Sequence, residues 1–108
     1  MKDLSIVEEM VLWAVWKLGD EAYGVTIRRR VSEATGRVFP YGTLYSVLAK
    51  LARMGCVRKS VGEPSPVRGG RSRNFYRILP GGRAALKQAL ALRKELWDEE
   101  SELLLEKG

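Results

Sequence analysis

The stretch Tyr41-Gly42-Thr43-Leu44-Tyr45-Ser46-Val47-Leu48-Ala49-Lys50-Leu51-Ala52-Arg53-Met54-Gly55 reads as one helix of about four turns, stopped by its closing glycine. Leu44, Val47, Leu48 and Leu51 recur at i, i+3, i+4 and i+7 and supply a buried face. Opposite them lie Tyr41, Gly42, Thr43, Ser46, Lys50 and Arg53, with no carboxylate among them. An outer face of this kind suits phosphates and base edges better than mere solubility. Thr43 and Ser46 can donate or accept there, and Lys50 can serve a phosphate or a guanine edge. Tyr45 has two readings, a half-buried core ring or a hydroxyl that reaches a phosphate.

Two strand-like runs follow, Val57 to Val61 and Asn74 to Leu79. The loop between them, Gly62 to Arg73, is long for a hairpin. Pro64 and Pro66 stiffen its ascending side, Gly69 and Gly70 free its tip, and Arg68, Arg71 and Arg73 charge it. Such a loop can enter a narrow minor groove or grip phosphates while the preceding helix lies in the major groove.

Upstream of Tyr41 the periodicity predicts two more helices. Leu4 to Leu18 carries Val7, Met10, Val11, Ala14 and Leu18 on one stripe, widened by Ile6, Trp13 and Val15. That arc is broad enough to touch a partner chain as well as a core. Gly19 and Asp20 end it. A second helix spans Gly24 to Ala34, with Val25, Ile27 and Val31 inward and Arg28, Arg29 and Arg30 sweeping around the outside. Thr35 and Gly36 stop it, and Pro40 disfavours helix at Phe39, marking the boundary before the third helix.

Downstream, Gly81 or Gly82 opens a final helix running towards Leu105. Ala89, Leu96 and Leu103 are spaced by seven, as are Leu90, Trp97 and Leu104, with Leu86 a turn earlier. A seven-residue repeat signals helix–helix packing, and a chain of 108 residues cannot cover this stripe alone. The expectation is a homodimer through Val7, Met10 and Val11 of the first helix and Leu86, Leu90, Leu96, Trp97, Leu103 and Leu104 of the last. A membrane-surface role for the last helix is disfavoured by Glu95, Asp98, Glu99, Glu100, Glu102 and Glu106.

Charge placement is sharper than the net charge of +6. Gly24 to Arg83 holds thirteen Lys and Arg against Glu33 and Glu63, a local +11. Residues 1–23 carry two basic and five acidic side chains, and residues 84–108 carry four and six. The middle of the chain therefore holds the whole excess, and it attracts a polyanion through phosphate neutralisation and counterion release.

Several function classes recede. There is no histidine, which removes the commonest general base and the usual transition-metal ligand. No Lys-Ser or Lys-Thr follows the glycine pairs, so no phosphate-binding loop is formed. The single cysteine, Cys56, cannot form an intramolecular disulfide or hold a metal alone, and its place between Gly55 and Val57 favours a small buried hydrophobe over a redox thiol. The expectation is no catalytic residue, no metal and no cofactor. With no apolar run long enough to span a bilayer and no secretory pattern at the N-terminus, a cytoplasmic protein is expected.

The residues resemble the PadR family of bacterial and archaeal transcriptional regulators from about Val11 to Leu90. The most specific part is Gly42 to Gly55, with its Leu44-Tyr45 pair, two further leucines and a closing glycine. Tyr23-Gly24 is similar to the family's Gly-Tyr region in reversed order, and Arg71 to Tyr76 resembles its wing. Leu79-Pro80-Gly81-Gly82 departs from the usual Leu-Thr start of the next helix. The resemblance implies a homodimeric winged-helix repressor on an operator of approximate two-fold symmetry, often released by an effector.

The expected fold is mainly α with a small β-hairpin: a winged helix-turn-helix over residues 1–80 and a long C-terminal dimerisation helix over 81–108. Its expected double-stranded DNA contacts are Tyr41, Thr43, Tyr45, Ser46, Lys50, Arg68, Arg71 and Arg73. The expected function is a sequence-specific DNA-binding transcriptional regulator. A winged-helix protein-interaction module and a nucleic-acid binder without sequence preference are the alternatives. Trp13, Trp16 and Trp97 lie on helices expected at the dimer interface. Packing is their ordinary role, and a flat hydrophobic small-molecule effector against Trp13 and Trp97 is the other.

Overall fold

A computed structural model describes residues 3–62, 73–97 and 99–107. Helices α1 (Ile6–Leu18), α2 (Gly24–Thr35) and α3 (Tyr41–Arg53) precede an antiparallel hairpin of β1 (Val57–Val61) and β2 (Asn74–Ile78). Helices α4 (Pro80–Leu96) and α5 (Glu99–Lys107) follow. This is the winged-helix order expected from the periodicity.

Local chemistry sets most of the boundaries. Ser5 and Glu8 form a capping box: the Glu8 N–H donates to Ser5 Oγ (3.1 Å) and the Ser5 N–H donates to Glu8 Oε1 (2.8 Å). The first helix therefore starts at Ile6 rather than Leu4. Gly36, left-handed at φ 72°, closes α2 with its N–H on the Ser32 carbonyl. Gly55, at φ 77°, closes α3, where the N–H groups of Gly55 and Cys56 reach back to the carbonyls of Ala52 and Leu51. Pro40 caps the front of α3, and Pro80 occupies the first turn of α4, where its missing N–H costs nothing.

The core lies where α1 crosses α2 and α3. Val11, Leu12 and Val15 of α1 meet Ile27 and Val31 of α2 and Leu44, Leu48 and Leu51 of α3, all essentially without exposure. Val25, expected inward, is exposed; Ile27 and Val31 carry that face. The hairpin pairs Val57 with Ile78 and Lys59 with Tyr76. On its other side β2 takes a hydrogen bond onto the segment before α2, from the Tyr76 N–H to the Ala22 carbonyl (2.9 Å), and Tyr23 bridges Phe75. The wing is thus stitched to the start of α2.

The C-terminal part differs from expectation in two respects, the first being that α4 opens at Pro80 rather than at Gly81 or Gly82. The final helix is not continuous: Trp97 leaves helical geometry (φ −79°, ψ 129°), and α5 begins at Glu99. The seven-residue stripe is therefore divided between two helices. Past Leu86 the side chains of α4 are largely exposed, and the molecule is drawn out to 55 × 30 × 21 Å. No described helix is long and apolar enough to cross a membrane.

Candidate nucleic-acid interface

Leu44, Leu48 and Leu51 root α3 in the core, which turns Gly42, Thr43, Tyr45, Ser46, Ala49 and Arg53 outward. A Cβ placed on Gly42 meets nothing within 4 Å. Ser46, Ala49 and Arg53 point most directly away from the core, at about 100° per residue from the leucine stripe. The centre of this face is small and flat. Thr43 and Lys50 form one flank, Tyr41 and Tyr45 the other.

The aromatic flank is built. Tyr41 and Tyr45 stack at 6.0 Å with 16° between ring planes. Arg28 of α2, expected outside with its neighbours, instead lies over the Tyr41 ring (4.2 Å) and donates from Nε to the Phe39 carbonyl (2.7 Å). Ser32 Oγ accepts the Phe39 N–H (2.9 Å), so the α2–α3 link is tied to α2 at two points. The Tyr45 hydroxyl abuts Gly24, where a Cβ would collide with it. The ring therefore wedges against α2 with about half its surface open, in keeping with the half-buried reading of this residue.

The other flank is electrostatic. Lys50 Nζ lies 2.6 Å from Glu8 Oε2, the lysine side chain 42 % exposed and the glutamate only 6 %. Lys50 is the main cause, followed by the Ser5 N–H, that holds the Glu8 carboxyl below the usual carboxylate range despite burial. Glu9, also buried, accepts from the Trp13 indole (3.0 Å) and from Arg93 of α4 (2.9 Å). Lys50, expected as a DNA contact, is also the partner of a buried acid. Nothing local in the sequence joins Glu8 to Lys50.

At the wing base Arg73 stacks over Tyr23 (4.6 Å), whose ring meets Phe75 edge-on (5.4 Å). Arg68 and Arg71 lie outside the described residues.

The residues expected to face a partner separate. Val11 and Leu86 are buried within the chain, Val11 in the core where α1 crosses α2 and α3 and Leu86 where α4 packs on α1. Val7 and Met10 are half-buried. Leu90, Leu96, Trp97, Leu103 and Leu104 are exposed, and so are Ile6, Leu92 and Leu105. Of the aromatic residues expected near an effector, Trp13 lines a groove of about 180 Å³ with Trp16, Arg83, Leu86, Lys87 and Leu90. Arg83 covers the Trp16 ring at 4.8 Å. Trp97 does not line this groove within one chain. Cys56 is buried, which pushes its thiol pKa up, with the Glu8 charge adding to the effect. Among the described residues no cluster of His, Cys, Asp or Glu could hold a metal ion.

Residues 13–88 match the Transcriptional regulator PadR-like family. A transcriptional regulator from Clostridium thermocellum is similar in structure (TM-score 0.69, 28% identity, covering 83% of this chain and 84% of that one). So is RosR from H. salinarum (TM-score 0.68, 25% identity, 98% and 90%). A PadR family transcription regulator from Clostridium difficile shares the fold (TM-score 0.67, 22% identity, 85% and 94%). No curated protein matches the chain.

Proposed function

Since the chain belongs to the PadR-like family of transcriptional regulators, we propose that it is a repressor that binds a pseudo-palindromic operator as a homodimer. In this reading α3 enters the major groove and the wing reaches the phosphates or the adjacent minor groove. The carrying observation is the outer face of α3: Gly42, Thr43, Ser46, Ala49 and Arg53 stand clear of the core with no acid among them. Homodimerisation is supported by the apolar side chains that α1, α4 and α5 leave open: Ile6, Leu90, Leu92, Leu96, Trp97 and Leu103. The groove beside Trp13 and Trp16 would take the apolar part of a small effector that shifts the two α3 helices relative to each other.

Selection of bound duplexes from a random pool tests the whole reading. An enriched site with two inverted halves about one helical turn apart is the expected result. Binding without enrichment would reassign the protein to sequence-independent nucleic-acid binding. Absence of salt-dependent binding would leave a protein-interaction module.

A further inference from the structure

Lysine on a recognition helix is ordinarily a mobile point charge that serves any phosphate within reach. Lys50 is not free to do so. Its ammonium sits 2.6 Å from Glu8 Oε2, and the glutamate is itself built into α1, with Oε1 accepting the Ser5 N–H at 2.8 Å. The Glu8 side chain is 6 % exposed, so a lysine that swung out to a phosphate would leave a buried carboxylate without its cation. The other groups facing this carboxylate, Ser5 and the thiol of Cys56, bring no positive charge. Yet Lys50 keeps 42 % of its surface open on the flank of α3 shared with Thr43. An ammonium has three donors, and one held by Glu8 leaves two for an acceptor outside the protein, on a side chain anchored at its tip.

We propose that Glu8 is a specificity-determining positioning residue: it cancels the net charge of Lys50 and fixes it as an oriented hydrogen-bond donor towards a base edge. The partner this selects is an acceptor pair in the major groove, the chemistry of a guanine edge, and not a phosphate. The device exchanges general affinity for DNA against discrimination between sequences. It rests on the reading of α3 as the DNA-reading helix.

The test compares the unmodified 108-residue chain with Glu8→Gln and with Glu8→Gln/Lys50→Met. Each is measured by fluorescence anisotropy on the selected duplex and on a random duplex across a salt series. Thermal unfolding is followed on the same samples. Gln keeps an acceptor for the Ser5 N–H but frees the lysine charge. We expect Glu8→Gln to bind random duplex more tightly, with a salt slope steeper by about one, and its preference for the selected duplex to fall about tenfold. The double variant removes the pair without leaving a buried charge. It should keep the unmodified salt slope on random duplex while losing the same preference. A merely structural pair would shift the melting temperature and neither of these readouts.

A folded Glu8→Gln protein with unchanged slope and unchanged preference overturns the proposal. Should Glu8→Gln fail to fold, a double variant that retains full preference overturns it instead. The underlying assignment fails separately, if the unmodified protein itself shows no salt-dependent binding to duplex.

Discussion

Gly82, in the first turn of α4, lies on the carbonyl oxygen of Cys56 so closely that a Cβ there would overlap it. The same carbonyl accepts the Leu79 N–H at 2.9 Å. This contact seats the start of α4 on the joint between α3 and β1. Gly82→Ala should therefore destabilise the protein by about 1–3 kcal/mol through overpacking, although alanine normally improves a helix. Calorimetry would show a lowered melting temperature, and an unchanged or raised one would contradict the packing described.

Gly42 gives the opposite case. It is helical, exposed and has open space where its Cβ would be. Gly42→Ala should leave the fold intact and gain up to about 1 kcal/mol in stability. If α3 lies in the major groove, the added methyl meets the DNA, and affinity for the selected duplex should drop. Calorimetry and anisotropy on one sample separate the two effects, and unimpaired binding would remove Gly42 from the interface.

Acid should weaken the tie between α1 and α3. The Glu8 carboxyl is held below its ordinary value of 4.5, first by Lys50 and then by the Ser5 N–H. A depressed folded-state pKa contributes stability that is complete above the unfolded value and is lost as pH falls through the folded one. The stability difference between the unmodified protein and Glu8→Gln should therefore be constant near neutrality and shrink below about pH 4.5. Lys50→Ala, in turn, strands a buried charge and should cost about 1–3 kcal/mol at neutral pH. Denaturant titrations over a pH series measure both, and a gap that widened on acidification would contradict the assignment.

Self-association should depend on side chains the folded monomer does not need. Leu96 is 70 % exposed and Trp97 51 %. Replacing both by glutamate should preserve helicity and melting cooperativity while shifting the protein to monomer in sedimentation. If the unmodified chain already sediments as a monomer at micromolar concentration, the dimer reading fails.

The wing offers a last separation of binding from folding. Arg73 lays its guanidinium over the half-buried Tyr23 ring, and its carbonyl, which accepts the Gly62 N–H, is kept in an alanine variant, so loss of the side chain should cost little stability. Arg71→Ala together with Arg73→Ala should lower DNA affinity strongly and leave the melting temperature within a few degrees. A folded double variant that binds normally would reduce the wing to a connector.

What the sequence determined by itself was everything governed by neighbours along the chain. The Leu44–Leu51 repeat, the Gly36 and Gly55 stops, the boundary at Pro40 and the two strand-like runs act within four or five residues, and these elements formed within a residue or so of where their local rules placed them. The Ser5–Glu8 box obeys the same rule, although the first helix was expected to begin one residue before it. Tertiary structure decided which surfaces meet. Periodicity marked Val11 and Leu86 as apolar, but only the crossing of α1 with α2 and α3 and the docking of α4 on α1 made them core. Arg28 looked like its neighbours Arg29 and Arg30 until the carbonyl of Phe39 and the ring of Tyr41 drew it inward. Glu8 and Lys50 lie on different helices, and a charge carries no record in the sequence of the opposite charge that will neutralise it. Their pairing exists because Leu48, Leu51 and Val11 bring α1 and α3 into contact, so hydrophobic packing chose the partner and electrostatics then fixed the geometry.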